Sequence, residues 1–277
     1  MAPDEANQPT SIRSSSPRVA YCIVGQARGF TNPLVHLSIV HNAIEPFGGR
    51  AQLFFLLKYN NGSMDDVAVL NATVQKLQPT GLKMRSSAED ESRLRASANL
   101  SCAWSQQRRV FGITAVDQAE CFRMIEADEM HMGRRYDLVI KMRPDEQICS
   151  PWPSHGKFNW SWYSSSRTIA TWWRPSGDRV IHDHVAIMTR SVADVYFQKE
   201  ESGAVQRCTA EREVGRDCNS ARAGPAYSEC FLSHYLRTSG IRFDNGAVMG
   251  DETMCLWPSS KARGRCHRCT APRRPSL

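Results

Sequence analysis

Three short, largely apolar runs, "VAYCIVG" at 19–25, "AQLFFLL" at 51–57 and "YDLVIKM" at 136–142, constrain this chain more than any other feature. A strand with one face in water alternates polar and apolar residues, whereas a strand covered on both faces need not. The segments between the runs keep a different period. "PLVHLSIVHNAIEPF" has Leu34, Leu37, Val40 and Ile44 at three- and four-residue spacing, with Pro33 near its start, which predicts a helix entered through proline. Strand, helix and strand are complete by residue 57, the opening of a parallel, right-handed crossover unit. Residues 65–78 form a second helix, with Val67, Leu70, Val74 and Leu77 on one face, and "TGLKMR" a third strand. A long helix follows, striped by Ala115, Ala119, Phe122 and Ile125 and stopped at Gly133. It feeds the strand at 137–142. "RVIHDHVAIMTR" reads as another strand and "SVADVYFQK" as a helix capped by Ser191 with Asp194 as its partner. "AYSECFLSHYLRTSG" is a last amphipathic helix, with Phe231, Leu232, Tyr235 and Leu236 inward. The expected fold class is α/β, a mostly parallel sheet flanked by helices in a single main domain at 18–254. A disordered leader at 1–17 precedes it, and a basic, cysteine-containing tail at 255–277 follows.

Composition narrows the partners. The formal net charge of +7 fits an anionic ligand, but the arginines are scattered and the clearest basic run is the tail "KARGRCHRCTAPRR". A nucleic-acid binder more often shows a basic face interleaved with aromatics, so nucleic acid is not expected. No window reaches the roughly 20 apolar residues of a membrane helix, and "MAPDEANQPTSIRSSSPR" lacks the apolar core of a signal peptide. Ten cysteines and acceptor sequons at Asn61, Asn71, Asn99 and Asn159 nevertheless favour a glycoprotein of the secretory pathway. A cytoplasmic location is the alternative. The lumenal part of a longer, membrane-anchored protein also fits.

Five groups of residues carry possible chemistry. The strand at 137–142 ends in Arg143-Pro144-Asp145. Proline fixes its own φ and biases Arg143 towards an extended conformation, so this is either an ordinary turn with a salt bridge or a site at a strand's carboxyl end, where open α/β sheets bind ligands. There Asp145 can hold Mg²⁺ or Mn²⁺ and Arg143 can fork onto phosphate oxygens. In "GQARGF", Gly25 ends the first strand and Arg28 follows closely; this is either a nucleotide-facing loop or a plain strand-to-helix turn. "HDH" at 182–184 suggests a metal, but on a strand His182 and His184 face one way and Asp183 the other. A structural role therefore fits the histidines better, with Asp183 the substrate-facing candidate. Glu229 is either a helix-dipole partner or the carboxylate that takes a proton from an acceptor hydroxyl. Cys255, Cys266, His267 and Cys269 evoke zinc but lack paired C-x-x-C knuckles, and disulfides or free thiols fit better.

With those residues in view, the order "VAYCIVGQARGF", "ECFRMIEADEMHMGRRYDLVIKMRPD", "HDHVAIMTRSVADVYF" and "YSECFLSHYLRTSGIRF" resembles a group of glycosyltransferase-like proteins of plants, algae and protists. These are similar to nucleotide-diphospho-sugar transferases of the GT-A fold. The resemblance spans roughly 18–245, and "YDLVIKMRPD" is its most specific part. It implies a Rossmann-like fold and transfer of a sugar from a nucleotide-diphosphate donor to a hydroxyl of a glycan or protein acceptor. It also implies Gly25, Gln26 and Arg28 along the nucleotide, and Arg143 with Asp145 at the diphosphate. Asp183 would meet a sugar, Glu229 would serve as the acceptor-side carboxylate, and a divalent cation would sit on Asp145. Tryptophans 160, 162, 172 and 173 either stack on sugar faces or pack a small subdomain. GT-A enzymes carry Asp-x-Asp where this chain carries Arg-Pro-Asp, so one carboxylate is replaced by a cation. A carbohydrate- or nucleotide-binding protein of the same fold without turnover is the alternative.

Overall fold

The structure is a computed structural model. It describes residues 17–47, 51–60, 64–89, 92, 106–152, 166–173, 181–197, 227–244 and 254–256, without the side chains of 47, 106–115, 172–173, 182–183, 227–231 and 254–256. The expected loop at 86–101 lies largely outside these residues. So do the insertion at 200–225, the tryptophans at 160 and 162, and most of the tail.

A seven-stranded sheet forms the centre, in the order β3 (Gly81–Ser86), β2 (Ala51–Tyr59), β1 (Val19–Gln26), β4 (Leu138–Met142), β7 (Ile181–Thr189), β6 (Thr168–Trp173), β8 (Arg242–Asp244). β1 pairs in parallel with both β2 and β4, and β2 with β3. β7 is antiparallel to β4 and β6, while β6 and β8 are parallel, so β7 alone runs against the others. The architecture is a mixed, mostly parallel, Rossmann-like α/β sandwich in one domain. β5 (Glu146–Ile148) and β9 (Met254–Leu256) make a separate antiparallel pair. These two strands, β6 and β8 were not legible in the sequence: three of the four have only three residues, and β6 is embedded in the tryptophan-rich stretch.

The runs are largely apolar, without strict alternation, because helices cover both faces. On one face Tyr21, Ile23, Phe55, Leu57, Ile140 and Met142 pack on α1 (Pro33–Ile39) and α2 (Met64–Gln75). On the other, Cys22, Val24, Phe54, Leu56 and Val139 meet α3 (Gln106–Met132), α4 (Arg190–Phe197) and α5 (Tyr227–Thr238). Cys22 and Cys121 form a buried disulfide that ties α3 to β1 across 99 residues. Closing a loop of that length contributes about 2–5 kcal/mol. Cys149 is in a disulfide too, with its other half outside the described side chains.

Two helices differ from expectation. α1 buries Val35 and Ile39, continued by Ala43, whereas Leu34 and Leu37 are exposed. The α-helix gives way at Val40 to a π-turn, Val40–Ile44, so an i, i+4, i+8 ladder replaces the 3.6-residue stripe. α4 starts at Arg190, one residue before the expected cap, and Asp194 pairs with Arg190 instead of completing a capping box. The first reason is Glu129, whose carboxylate takes Arg190 Nε at 2.8 and 2.9 Å and Nη2 at 2.8 Å, and also the Tyr136 N–H at 2.8 Å. Burial alone would lower the Arg190 pKa, but the hydrogen bonds it donates to Glu129 and Asp194 outweigh it and raise the value, so the guanidinium stays charged.

This buried pair generates a prediction. Glu129→Ala leaves Arg190 charged and buried and costs about 3–5 kcal/mol in urea unfolding. Exchanging both partners for apolar residues, Glu129→Leu with Arg190→Met, recovers only part of that loss, because the Tyr136 N–H loses Glu129 and Asp194 loses Arg190 as well. A double variant as unstable as the single one would refute the argument.

Candidate functional site

The strand order locates the site before any side chain is considered. From β1 the chain winds outward through β2 and β3, then returns to β4 on the other side of β1. In such sheets the crevice beyond the carboxyl ends at this reversal is left open by the flanking connections. The register sets those ends side by side: Gln26 is level with Lys58, Lys58 with Arg85, and Ile23 with Met142.

The ends of β1 and β4 interlock. Gly25 has φ +138°, a conformation L side chains rarely adopt, and a Cβ placed there would lie 3.4 Å from Pro144 Cδ. Pro144 is thus the neighbour that a side chain here would touch, at contact distance, and the positive φ is what favours glycine. The turn that begins there, with Gly29 at φ +68°, is pinned by buried Phe30 and lifts Arg28 into solvent. Among the described residues Arg28 has no hydrogen bond or ion pair. Gln26 is half-buried beside it.

Arg143-Pro144-Asp145 is both a turn and a site floor. The Arg143 N–H donates to the His184 carbonyl at 3.1 Å. The guanidinium closes on Asp145 as a two-point fork, Nε to Oδ1 at 2.9 Å and Nη2 to Oδ2 at 2.9 Å. The side chain of Asp145 is 3% exposed and that of Arg143 28%, so the carboxylate lies beneath and the cation reaches the crevice. Sequence reasoning missed the next residue. Glu146 is fully buried, and its carboxylate lies 2.6 Å from His184 Nδ1. The only signal was two successive acids, Asp145-Glu146, and the structural reading of His184 agrees with this contact.

β5 continues from this floor and is held by α1 and its π-turn. Ser38 Oγ accepts from the Ile148 N–H at 2.9 Å, Asn42 Nδ2 donates to the Ile148 carbonyl at 2.7 Å, and the Trp152 N–H donates to the Asn42 carbonyl at 2.7 Å. Tyr21 O–H, its pKa raised by burial, donates to the Ala43 carbonyl at 2.8 Å and satisfies a group exposed by the irregular turn. A second charged group stands behind the ends of β2 and β3. Lys58 pairs with Asp117, Arg85 bridges Asp117 at 2.9 Å and Glu120, and Lys83 meets Glu120 at 2.8 Å.

The two remaining candidates reach the same end of the sheet through the backbone. β7 runs against β4 with Val185 level with Met142, so Asp183 comes level with Pro144. α5 enters from there, since Ser233 Oγ accepts from the Ile181 N–H at 2.9 Å and Glu229 lies one turn earlier. The side chains of Asp183 and Glu229, and of the tail cysteines and His267, are outside the described residues. Gly25, Gln26, Arg28, Arg143, Asp145, Asp183 and Glu229 thus converge on one end of the sheet.

No family model matches the chain, and no curated protein matches its sequence. Among solved structures, the apo-form glycosyltransferase GlyE of Streptococcus pneumoniae TIGR4 aligns with a TM-score of 0.36 and 7% identity over 86% of this chain. This chain spans 46% of that protein. The fold assignment rests on the strand order itself.

Because the Gly25 backbone and Pro144 fit together, Gly25→Ala is expected to cost about 1–3 kcal/mol, mainly through the disfavoured φ. It should lower the melting temperature without ligand present. An unchanged melting temperature would mean that this junction relaxes freely.

Proposed function

We propose that this protein is a glycosyltransferase that binds a nucleotide-diphosphate sugar in the crevice between the ends of β1 and β4 and passes the sugar to a hydroxyl acceptor. One observation carries the reading: a partly exposed guanidinium, Arg143, rests on a buried carboxylate at the topological reversal of the sheet, where such folds take nucleotides. On this reading the turn after Gly25 and Gln26 lines the nucleotide, and Arg28 and Arg143 face the diphosphate. Asp183 meets the donor or acceptor sugar. The bond between the sugar's anomeric carbon and the diphosphate oxygen breaks as the acceptor oxygen bonds to that carbon. The acceptor's proton passes to the Glu229 carboxylate, and the leaving diphosphate keeps the electron pair and sits against the arginines.

The GT-A resemblance implies a divalent cation on Asp145, and the described side chains alone do not supply a ligand set for one. Both Asp145 oxygens accept from Arg143, and the described residues hold no group of three or more His, Cys, Asp or Glu able to ligate a metal. No step is therefore assigned to a metal. An oxidising secretory lumen belongs to the same reading, supported by the Cys22–Cys121 disulfide and by exposed Asn71 in its sequon.

The test is a thermal-shift panel of UDP, GDP and their sugars, since a ligand that binds only the native state raises its melting temperature. Stabilisation by one nucleotide family, followed by sugar transfer or slow donor hydrolysis lost in Glu229→Gln, supports the transferase. Binding with no turnover of any donor makes the protein a non-catalytic binder. A flat panel at millimolar ligand removes the nucleotide site.

A further inference from the structure

We infer that Asn71 is the attachment point of an N-linked glycan on the outer face of α2, and that the sugar is attached before α2 packs on the sheet. The inference rests on the lumenal part of the reading above and is independent of the nucleotide site. Three observations carry it.

The first is that the fold does not call for an asparagine at this position. Asn71 lies inside α2 and is exposed, and its side chain makes no hydrogen bond among the described residues. Asparagine is a poorer helix former than alanine, because its amide competes for nearby backbone groups. The packing of α2 is carried by its neighbours Leu70 and Val74, both buried against the sheet. Ala68 and Gln75, one turn to either side of Asn71, are exposed as well, so a bulky substituent has open surface around it.

The second is the motif and its setting. Asn71-Ala72-Thr73 is an N-x-T acceptor, and the Cys22–Cys121 disulfide belongs to an oxidising compartment. The donor there is a lipid-diphosphate-linked oligosaccharide. Asn71 Nδ2 bonds to the anomeric carbon of its first sugar as the bond from that carbon to the diphosphate oxygen breaks. The amide gives up one proton, and the lipid diphosphate leaves with the electron pair.

The third is geometry, which sets the order of events. Thr73 is buried, and its Oγ1 donates to the Val69 carbonyl at 2.8 Å. Residues i and i+2 of a helix do not face each other, so packed α2 cannot offer the Asn71 amide and the Thr73 hydroxyl side by side to a transferring enzyme. Attachment therefore precedes packing. A window for it exists during synthesis, because Cys121 and β4, the second parallel neighbour of β1, both follow Thr73 in the chain. Asn71 lies seven residues into α2, which begins after the carboxyl end of β2, or about 10 Å along the helix axis. The glycan thus stands on the flank of the domain and leaves the crevice uncovered.

The test begins with the protein purified from the cells that make it. One portion is digested and treated with a peptide-N-glycosidase in heavy-oxygen water, which leaves labelled aspartate wherever a glycan was attached. A second portion is alkylated and digested without reduction to map Cys22 and Cys121. Label at position 71 in most molecules is expected. Asn71→Gln, made in the same cells, should lose the mass of one glycan, whereas Thr73→Ser, which keeps the acceptor hydroxyl, should retain it. The full chain made in bacteria and given the transferring enzyme and donor should accept the sugar at Asn71 when unfolded and refuse it when folded. Modification of the folded chain at an equal rate overturns the order of events. An unmodified Asn71 in a protein whose Cys22–Cys121 disulfide is closed overturns the glycan and leaves the lumenal reading standing. An unmodified Asn71 with Cys22 and Cys121 recovered as thiols overturns both.

Discussion

β1 is hydrogen-bonded in parallel on both sides, to β2 and to β4, and everything else in the molecule is arranged around that constraint. A parallel neighbour has to return through a crossover, so two parallel neighbours require two crossovers, one on each side of the strand. The first runs through α1 and the second through α3, which also closes the Cys22–Cys121 disulfide against β1. The chain thereby reverses its winding direction at β1, and the carboxyl ends beside that reversal are where such sheets leave a crevice. Gly25 and Pro144 then complete the seam at one point. The site is a by-product of sheet topology before it is a set of side chains.

The charges of the interior follow from the same plan. At the amino-terminal end of β4, Arg190 and Glu129 are both buried, with the Arg190 guanidinium also lying 4.5 Å over the Phe122 ring. At the carboxyl-terminal end, Arg143 and Asp145 use the same fork-on-carboxylate chemistry, but there the cation keeps a face towards solvent. A fully buried pair resists exchange with any outside anion, because removing one partner strands the other in a medium of low dielectric. A half-open pair can share its cation with an incoming anion without uncovering the carboxylate. Position in the sheet separates the fully buried pair from the half-open one.

How much of this the sequence disclosed depends on the length scale of the information. The runs at 19–25, 51–57 and 136–142 were legible because burial on both faces leaves a dense local signature, and each became a strand within two residues of its expected limits. The helix after β1 was legible as a helix but not in its facing, since the π-turn at Val40 shifts the inward positions to Val35, Ile39 and Ala43. Arg143-Pro144-Asp145 stood out as a strand-end motif. That Arg143 would turn onto Asp145 was not legible, because an i, i+2 pair forms only when the intervening turn folds back, and the turn is fixed by Gly25, more than a hundred residues away. The contact between Glu146 and His184 joins β5 to β7, and no local pattern announces it. Short-range periodicity recovered the scaffold, and long-range pairing set the chemistry.

On the transferase reading proposed above, formal charge is the argument for an arginine where the GT-A resemblance expects a carboxylate. Two aspartates with one divalent cation sum to zero, and so do Arg143 and Asp145. The exchange preserves the net charge at the floor while moving its positive part from a diffusible ion to a covalently attached group. What changes is charge density, because a guanidinium spreads one unit over a plane whereas a magnesium ion concentrates two at a point. Stabilising a departing diphosphate with the weaker field requires additional cations close by. The exposed Arg28 answers that requirement on one side of the crevice. On the other, Lys83, Lys58 and Arg85 pair with Asp117 and Glu120 behind the ends of β2 and β3.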